Sequence, residues 1–279
     1  MVIMIIIFIL VAVFLIYIYR IKPNTGRRDM MKPFFDNYIA HRGLFNNDDC
    51  LPENSIPAFK KAVEQGYGIE LDVQMTTDGK LVVFHDDNLQ RMCGINKLLT
   101  ECSYDELSAY RLAKTDEKIP LFDEILQIID GKVPLVVEIK SAGDWKKTTE
   151  LMAIRMDKYN GIYCMESFHP LAVEWFKKHR PNIIRGQLSD DFFRTDEKIS
   201  FVKKLILSNL LMNNHSRPDF IAYNFLHANQ WSYSICRKLF PVVNVAWTPR
   251  SQEQLDEAKK VFEIFIFDSF IPDSKEQKN

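Results

Sequence analysis

Two kinds of apolar patterning divide the chain. From Met1 to Tyr19 no charged residue interrupts a run of Ile, Val, Leu and Phe. At about 1.5 Å per residue such a run reaches roughly 28 Å as a helix, close to the hydrocarbon thickness of a bilayer. From Asn37 onward, short runs of β character alternate with amphipathic stretches of helical period. The β runs are Tyr38–Ala40, Ile69–Met75, Leu81–Phe84, Leu135–Ile139, Ile162–Met165, Ile183–Gln187, Phe220–Tyr223, Val242–Ala246 and Ile264–Phe267. Helical patterns lie between most of them, among them Ser55–Gln65, Phe122–Ile129, Trp145–Tyr159, Leu171–His179, Ala228–Leu239 and Gln252–Phe262.

Alternation of this kind argues for parallel strands with helices outside. One run differs. Ile69–Met75 and Leu81–Phe84 are separated by Thr-Thr-Asp-Gly-Lys, and Asp78-Gly79 is a type I′ hairpin signal. With Leu81–Phe84 as a return arm, eight strands remain for a closed barrel. The expected fold is therefore an α/β TIM (β/α)8 barrel, with a small insertion after the hairpin and one transmembrane helix before it. The insertion is about Asp87 to Lys118, where Ser103 and Glu106 have capping-box spacing; it is expected over one barrel mouth. Asn209–Pro218 is a second irregular stretch, with no role evident from its residues.

The implied divisions are an anchor over residues 1–19, a basic juxtamembrane linker over 20–36 and a barrel over 37–274. Pro23, Asn24, Thr25 and Gly26 read as a flexible link. A cleaved signal peptide is the rival for the apolar run. It wants Lys or Arg ahead of the run and small residues at a cleavage site, and the chain has neither. Arg20, Lys22, Arg27, Arg28 and Lys32 follow the span, so the positive-inside rule puts the barrel on the cytoplasmic side. The same charges either rest on anionic headgroups or only set topology.

Composition refines this picture slightly. A length of 279 residues suits one large barrel, and 47% hydrophobic with 26% charged residues excludes a disordered chain. A net charge of -1 supplies no field for nucleic acid. The five cysteines are scattered and odd in number, which fits reduced thiols better than a disulfide framework or a zinc site.

Candidate chemistry sits at the strand ends. Glu70 and Asp72 share one face of a strand. On an inward barrel face they repel each other unless a hard, oxygen-preferring cation such as Mg²⁺ or Ca²⁺ neutralises them; on a solvated edge they need nothing. If Thr77 pairs with Lys80 across the turn, His85 lies opposite Asp72 and joins that face. His41-Arg42-Gly43 ends the first run with a proton carrier, a bidentate phosphate donor and a turn. Glu138 and Lys140 repeat the two-residue spacing on another strand, the first completing an oxygen set and the second meeting an anion. Phosphodiester hydrolysis asks for such parts: positive charge on the phosphoryl oxygens, one imidazole to take a proton and another to give one.

The stretch from Ile39 to Gly94, with HRG, PEN, ELDV, TDG and HD in order, resembles the signature of the glycerophosphodiester phosphodiesterase family. Later LVVEIK, SF, GQL and VAWT segments match its strand ends, so the resemblance spans nearly the whole barrel. It implies hydrolysis of glycerophosphodiesters to an alcohol and glycerol 3-phosphate. His41 and His85 would be the acid–base pair; Glu70, Asp72 and Glu138 would hold Mg²⁺ or Ca²⁺; Arg42 and Lys140 would contact phosphate. Glu53-Asn54 matches the PEN motif and fits a turn-holding role. Trp247, like Gln187, either lines the substrate mouth or packs in the core. Two rim positions depart from the family pattern: His169 stands where Asp is common, and Phe267-Asp268 where Thr-Asp or Phe-Glu is common. Lysophospholipase D-like cleavage of a membrane lysophospholipid is the enzymatic alternative; a catalytically silent, membrane-bound barrel is the non-enzymatic one.

Overall fold

The computed structural model describes residues 1–273, so the expected barrel end at residue 274 lies outside the described residues. Nine strands form one closed sheet: β1 (Ile39–Ala40), β2 (Gly68–Met75), β3 (Leu81–Val83), β4 (Leu135–Ile139), β5 (Tyr163–Ser167), β6 (Ile184–Ser189), β7 (Phe220–Asn224), β8 (Val243–Trp247) and β9 (Ile264–Phe267). Eight are parallel, and β1 closes the ring by pairing with both β2 and β9. β3 pairs antiparallel with β2 as the return arm of the hairpin. The barrel expected from the alternation is the barrel observed.

The helices longer than one turn are α1 (Val2–Ile21), α2 (Ile56–Glu64), α3 (Phe122–Ile129), α4 (Trp145–Met156), α5 (Pro170–His179), α6 (Phe201–Ser208), α7 (Trp231–Leu239) and α8 (Gln252–Ala258). α2 shows why such segments become helices: the Ser55 hydroxyl accepts from the Ala58 amide, Pro57 sits in the first turn, and Ala58, Phe59 and Ala62 form one buried face. α1 is uncharged until Arg20 and exposes almost its whole length.

Side-chain alternation sorts the barrel into two cores. Odd-numbered residues of β2 and β4, such as Leu71, Val73, Val137 and Ile139, pack outward against the helices. The opposite faces of the strands point inward: Val136, Cys164, Ile184, Phe220, Val243 and Ile264 form an apolar plug. Gly186 belongs to that face because its neighbour fills the space; a Cβ there would stand 2.1 Å from the Phe220 ring.

Two expectations need correction. Residues 22–36 are not a free linker. Met31 and Phe34 are buried and plug the base of the barrel, Asn24 donates to Asp219 at 2.6 Å, and Arg27 bridges Asp219 and the Pro181 carbonyl. Apolar burial and ion pairs outweigh the turn-forming Pro-Asn-Thr-Gly composition. The hairpin register is also one residue shorter than expected. Val73 faces Val83 and Met75 faces Leu81, so Asp72 comes level with Phe84, not His85. Gly79, at φ 78°, ends a three-residue loop rather than a two-residue type I′ turn.

The insertion folds beside the hairpin around Phe84, Leu89, Met92, Leu99 and Leu107. Ser103 caps its Tyr104–Leu107 turn, while the Glu106 carboxylate turns to Lys97 and Tyr110 instead of completing a capping box. Asn209–Pro218, unexplained by its residues, receives the end of α1: the Asn213 amide donates to the Ile21 carbonyl at 3.1 Å.

Candidate active site

The inward face of the barrel turns acidic toward the C-terminal strand ends. Glu70 and Asp72 of β2 and Glu138 of β4 are all buried, and their carboxylate oxygens come within 4.8 Å of one another. The parallel register sets Asp72 beside Glu138 and Glu138 beside Glu166 of β5. Burial, and then repulsion from Asp72 and Glu138, pushes the Glu70 carboxyl well above its ordinary range. Burial also raises Glu138, and Glu166 rises through burial and then Glu138. Asp72 goes the other way: burial would raise it, but Lys140, His85 and Arg42 outweigh burial and hold it ionised.

Among the described residues, two cations stand inside this cluster, Lys140 and Arg42. The Lys140 ammonium lies 2.9 Å from Glu138 and 3.3 Å from Asp72. Arg42 adopts a left-handed φ of 56°, which aims its backbone amide at Glu70 (3.0 Å) and its guanidinium at Glu53 (2.6 Å), with Asp72 3.5 Å away. The donor set suits a hard divalent cation: three buried carboxylates converge, Asp72 Oδ1 makes no hydrogen bond and meets only the Lys140 charge at 3.3 Å, and the charge nearby is short of neutral.

Two imidazoles flank the carboxylates, each backed by a carboxylate of its own. His41 follows β1; its Nδ1 is 2.9 Å from Asp268, which follows β9, and its Nε2 stands 4.0 Å from Glu70. Burial, then Arg42, lowers the His41 pKa to about 4. His85 Nδ1 is 2.6 Å from Asp86. In both rings the carboxylate at Nδ1 leaves Nε2 for the cavity.

His85 arrives by a route that strand pairing did not foretell. β3 ends at Val83, and the Gln74 side-chain amide donates to the carbonyls of Phe84, His85 and Asp86 at 3.0, 3.3 and 2.8 Å. That clamp bends the chain inward. A cavity of about 110 Å³ results, lined by His41, Arg42, Glu70, His85, Glu138 and Trp247 among others. Trp247 packs edge-on to Phe168 at 5.6 Å and also lines the cavity. Gln187 does not line it; its amide holds the Ser167 and Leu188 carbonyls. His169 stacks on Trp145 at 4.3 Å.

All eight residues singled out by sequence converge at this end of the barrel. Reading the residues missed Glu166 and Gln74, and the orienting roles of Asp86 and Asp268. Glu166 carried a signal, being a charge inside an otherwise buried strand. Glu53 and Asn54 hold more than a turn: Asn54 donates to Asp72 at 2.9 Å, and Glu53 accepts from Arg91 of the insertion at 2.7 and 2.8 Å.

Residues 41–233 match the model of the glycerophosphoryl diester phosphodiesterase family. A glycerophosphodiester phosphodiesterase of Bacillus altitudinis is 35% identical over 167 residues, 55% of this chain and 66% of that protein. Lysophospholipase D GDPD1 of Homo sapiens is 30% identical over 145 residues, 47% of this chain and 45% of that protein. An Oleispira antarctica phosphodiesterase solved with its product sn-glycerol-3-phosphate shares the fold, with a TM-score of 0.67 and 21% identity over 84% of this chain and 92% of that one.

Proposed function

The chain belongs to the glycerophosphoryl diester phosphodiesterase family, and on that premise we propose that it is a membrane-tethered hydrolase of glycerophosphodiesters, yielding an alcohol and glycerol 3-phosphate. The observation that carries this reading is the meeting of three buried carboxylates with two oriented imidazoles in one cavity. Glu70, Asp72 and Glu138 would hold a divalent cation, Mg²⁺ or Ca²⁺. Once bound, it supplies positive charge to the non-bridging phosphoryl oxygens.

The chain's own residues do the rest. Lys140 lies between two of the ligands, within reach of an anion, and Arg42 has its guanidinium held by Glu53. Both add charge where the diester must sit. One of His41 and His85 takes a proton of the attacking water through Nε2. As the new P–O bond forms and the bond to the alcohol breaks, the other returns a proton to the departing oxygen. Asp268 and Asp86 keep each ring in the tautomer that permits this.

A lysophospholipid is the second candidate substrate, favoured by α1 and by the likeness to a lysophospholipase D. In this reading α1 spans the bilayer, and the basic residues that follow it put the barrel on the cytoplasmic face. A silent barrel has no use for five such groups in one cavity.

The test uses the full chain in detergent, supplied in parallel with glycerophosphocholine and lysophosphatidylcholine. Released glycerol 3-phosphate or lysophosphatidic acid is measured. EDTA is expected to abolish turnover, and Mg²⁺ or Ca²⁺ to restore it. Undiminished turnover in excess chelator would remove the metal role; no turnover of either substrate with any cation would remove the enzyme.

A further inference from the structure

The end of α1 is fastened to the barrel wall, and this fixes the direction in which the helix leaves. The Tyr17 hydroxyl donates to Ser232 Oγ at 2.8 Å, and its ring stacks on Trp231 at 5.4 Å. One turn later Ile21 is fully buried, and its carbonyl accepts from Asn213 Nδ2 and from Cys236 Sγ. Tyr17 thus meets the first turn of α7 and Ile21 meets the second, so the two helices run in the same direction. α7 follows β7 and therefore starts at the mouth end and runs toward the base. Upstream of Tyr17, α1 must continue past the mouth. Exposure agrees: Val2–Ile16 is open on nearly every side, and burial begins at Tyr17. That part is about 22 Å of apolar helix.

The rim beside this exit carries exposed apolar side chains among charged ones such as Arg194, Glu197 and Lys203. Phe193 lies on the loop after β6, Phe201, Val202 and Leu205 on α6, and Leu226 and Trp231 after β7. All six are between 44% and 70% exposed. Every exposed large aromatic side chain outside α1, among the described residues, belongs to this group. The two loops are joined, Phe193 meeting Phe201 edge-on at 5.7 Å and Arg194 reaching Asn229 at 3.3 Å. Such a cluster marks a contact surface.

We propose that the barrel lies with its mouth against the bilayer that α1 enters, and that these six side chains are its interfacial contact with phospholipid. The proposal rests on the reading of α1 as a membrane anchor. Tyr17, Tyr19 and Arg20 mark the level at which the helix leaves hydrocarbon, since Trp and Tyr favour the interface and Arg seeks water. Trp231 stacks on Tyr17, so the rim stands at headgroup depth. Arg27 and Arg28 are at the opposite end, paired to Asp219 and Glu263 on the base, away from the headgroups. A mouth placed this way takes a diester whose acyl chain stays in the leaflet.

The test uses the full chain with Cys50→Ser, reconstituted in phosphatidylcholine–phosphatidylglycerol vesicles. Phe201→Cys, Leu226→Cys and, at the base after α8, Lys260→Cys each carry a polarity-sensitive fluorophore. Lipids brominated in the acyl chain are the quencher. The two rim labels are expected to shift to the blue and lose most of their emission, while the Lys260 label keeps both colour and intensity. A chain that floats with alkali-washed vesicles while its rim labels stay unquenched, or while the base label is quenched instead, overturns the orientation and leaves the anchor standing. A chain that does not float with vesicles overturns the anchor and the orientation with it.

Discussion

Glu53→Gln removes a charge and almost nothing else. The carboxylate is 4% exposed and receives Arg42 at 2.6 Å and Arg91 at 2.7 and 2.8 Å. Burial would raise its pKa; hydrogen bonds from Arg91 and the charge of Arg42 outweigh burial and bring it to about 2, against an ordinary 4.5. At about 1.4 kcal/mol per tenfold change in proton affinity, that gap is about 3 kcal/mol of folding stability. Arg91 is 46% exposed and keeps Asp86, so water and a second partner recover part of the loss; about 2 kcal/mol is the expected cost. A depressed carboxyl stabilises the fold fully above its unfolded value and stops doing so as pH falls through the folded one. The difference between wild type and variant should hold from pH 7 to 5, then shrink to roughly 40% of itself by pH 3. Urea unfolding of the full chain in micelles, followed by tryptophan emission at each pH, measures it. A difference that is absent at pH 7, or unchanged at pH 3, refutes the argument that Arg91 and Arg42 are held through the Glu53 charge.

Three further outcomes follow from the site and its frame. His85→Ala should lower turnover by about 10²–10⁴-fold with thermal unfolding unchanged; near-normal turnover contradicts its acid–base role. Gln74→Leu keeps the volume but frees the Phe84, His85 and Asp86 carbonyls, so kcat should fall by about 10²-fold while KM moves little; an equal change in both would mean that Gln74 does not position His85. Gly186→Ala drives a methyl into the Phe220 ring and should destabilise the fold by about 1–3 kcal/mol in the same urea assay, whereas an unchanged midpoint would show that the ring yields freely.

The chain spells out locally what depends on neighbours in sequence. Period-two alternation puts Glu70 and Asp72 on one face, Asp78-Gly79 announces a return arm, and nineteen residues without charge announce α1. These are short-range properties, written in a few successive side chains, and from them the barrel, its hairpin and all eight candidate residues could be read. The family resemblance lent the same residues their chemistry. What joins distant segments depends on closure, and no local period records that. Asp268 stands behind His41 because β1 completes the ring against β9. Glu166 joins the carboxylates because β5 takes one register on β4, and a different register would have carried it away. The hairpin lies one residue from its simplest pairing because a three-residue loop fits its twist, and Gln74, not strand pairing, carries His85 inward. Tertiary contact alone also turned the supposed linker into the floor of the barrel and set the bearing of α1, whose pairing with α7 joins residues more than two hundred positions apart.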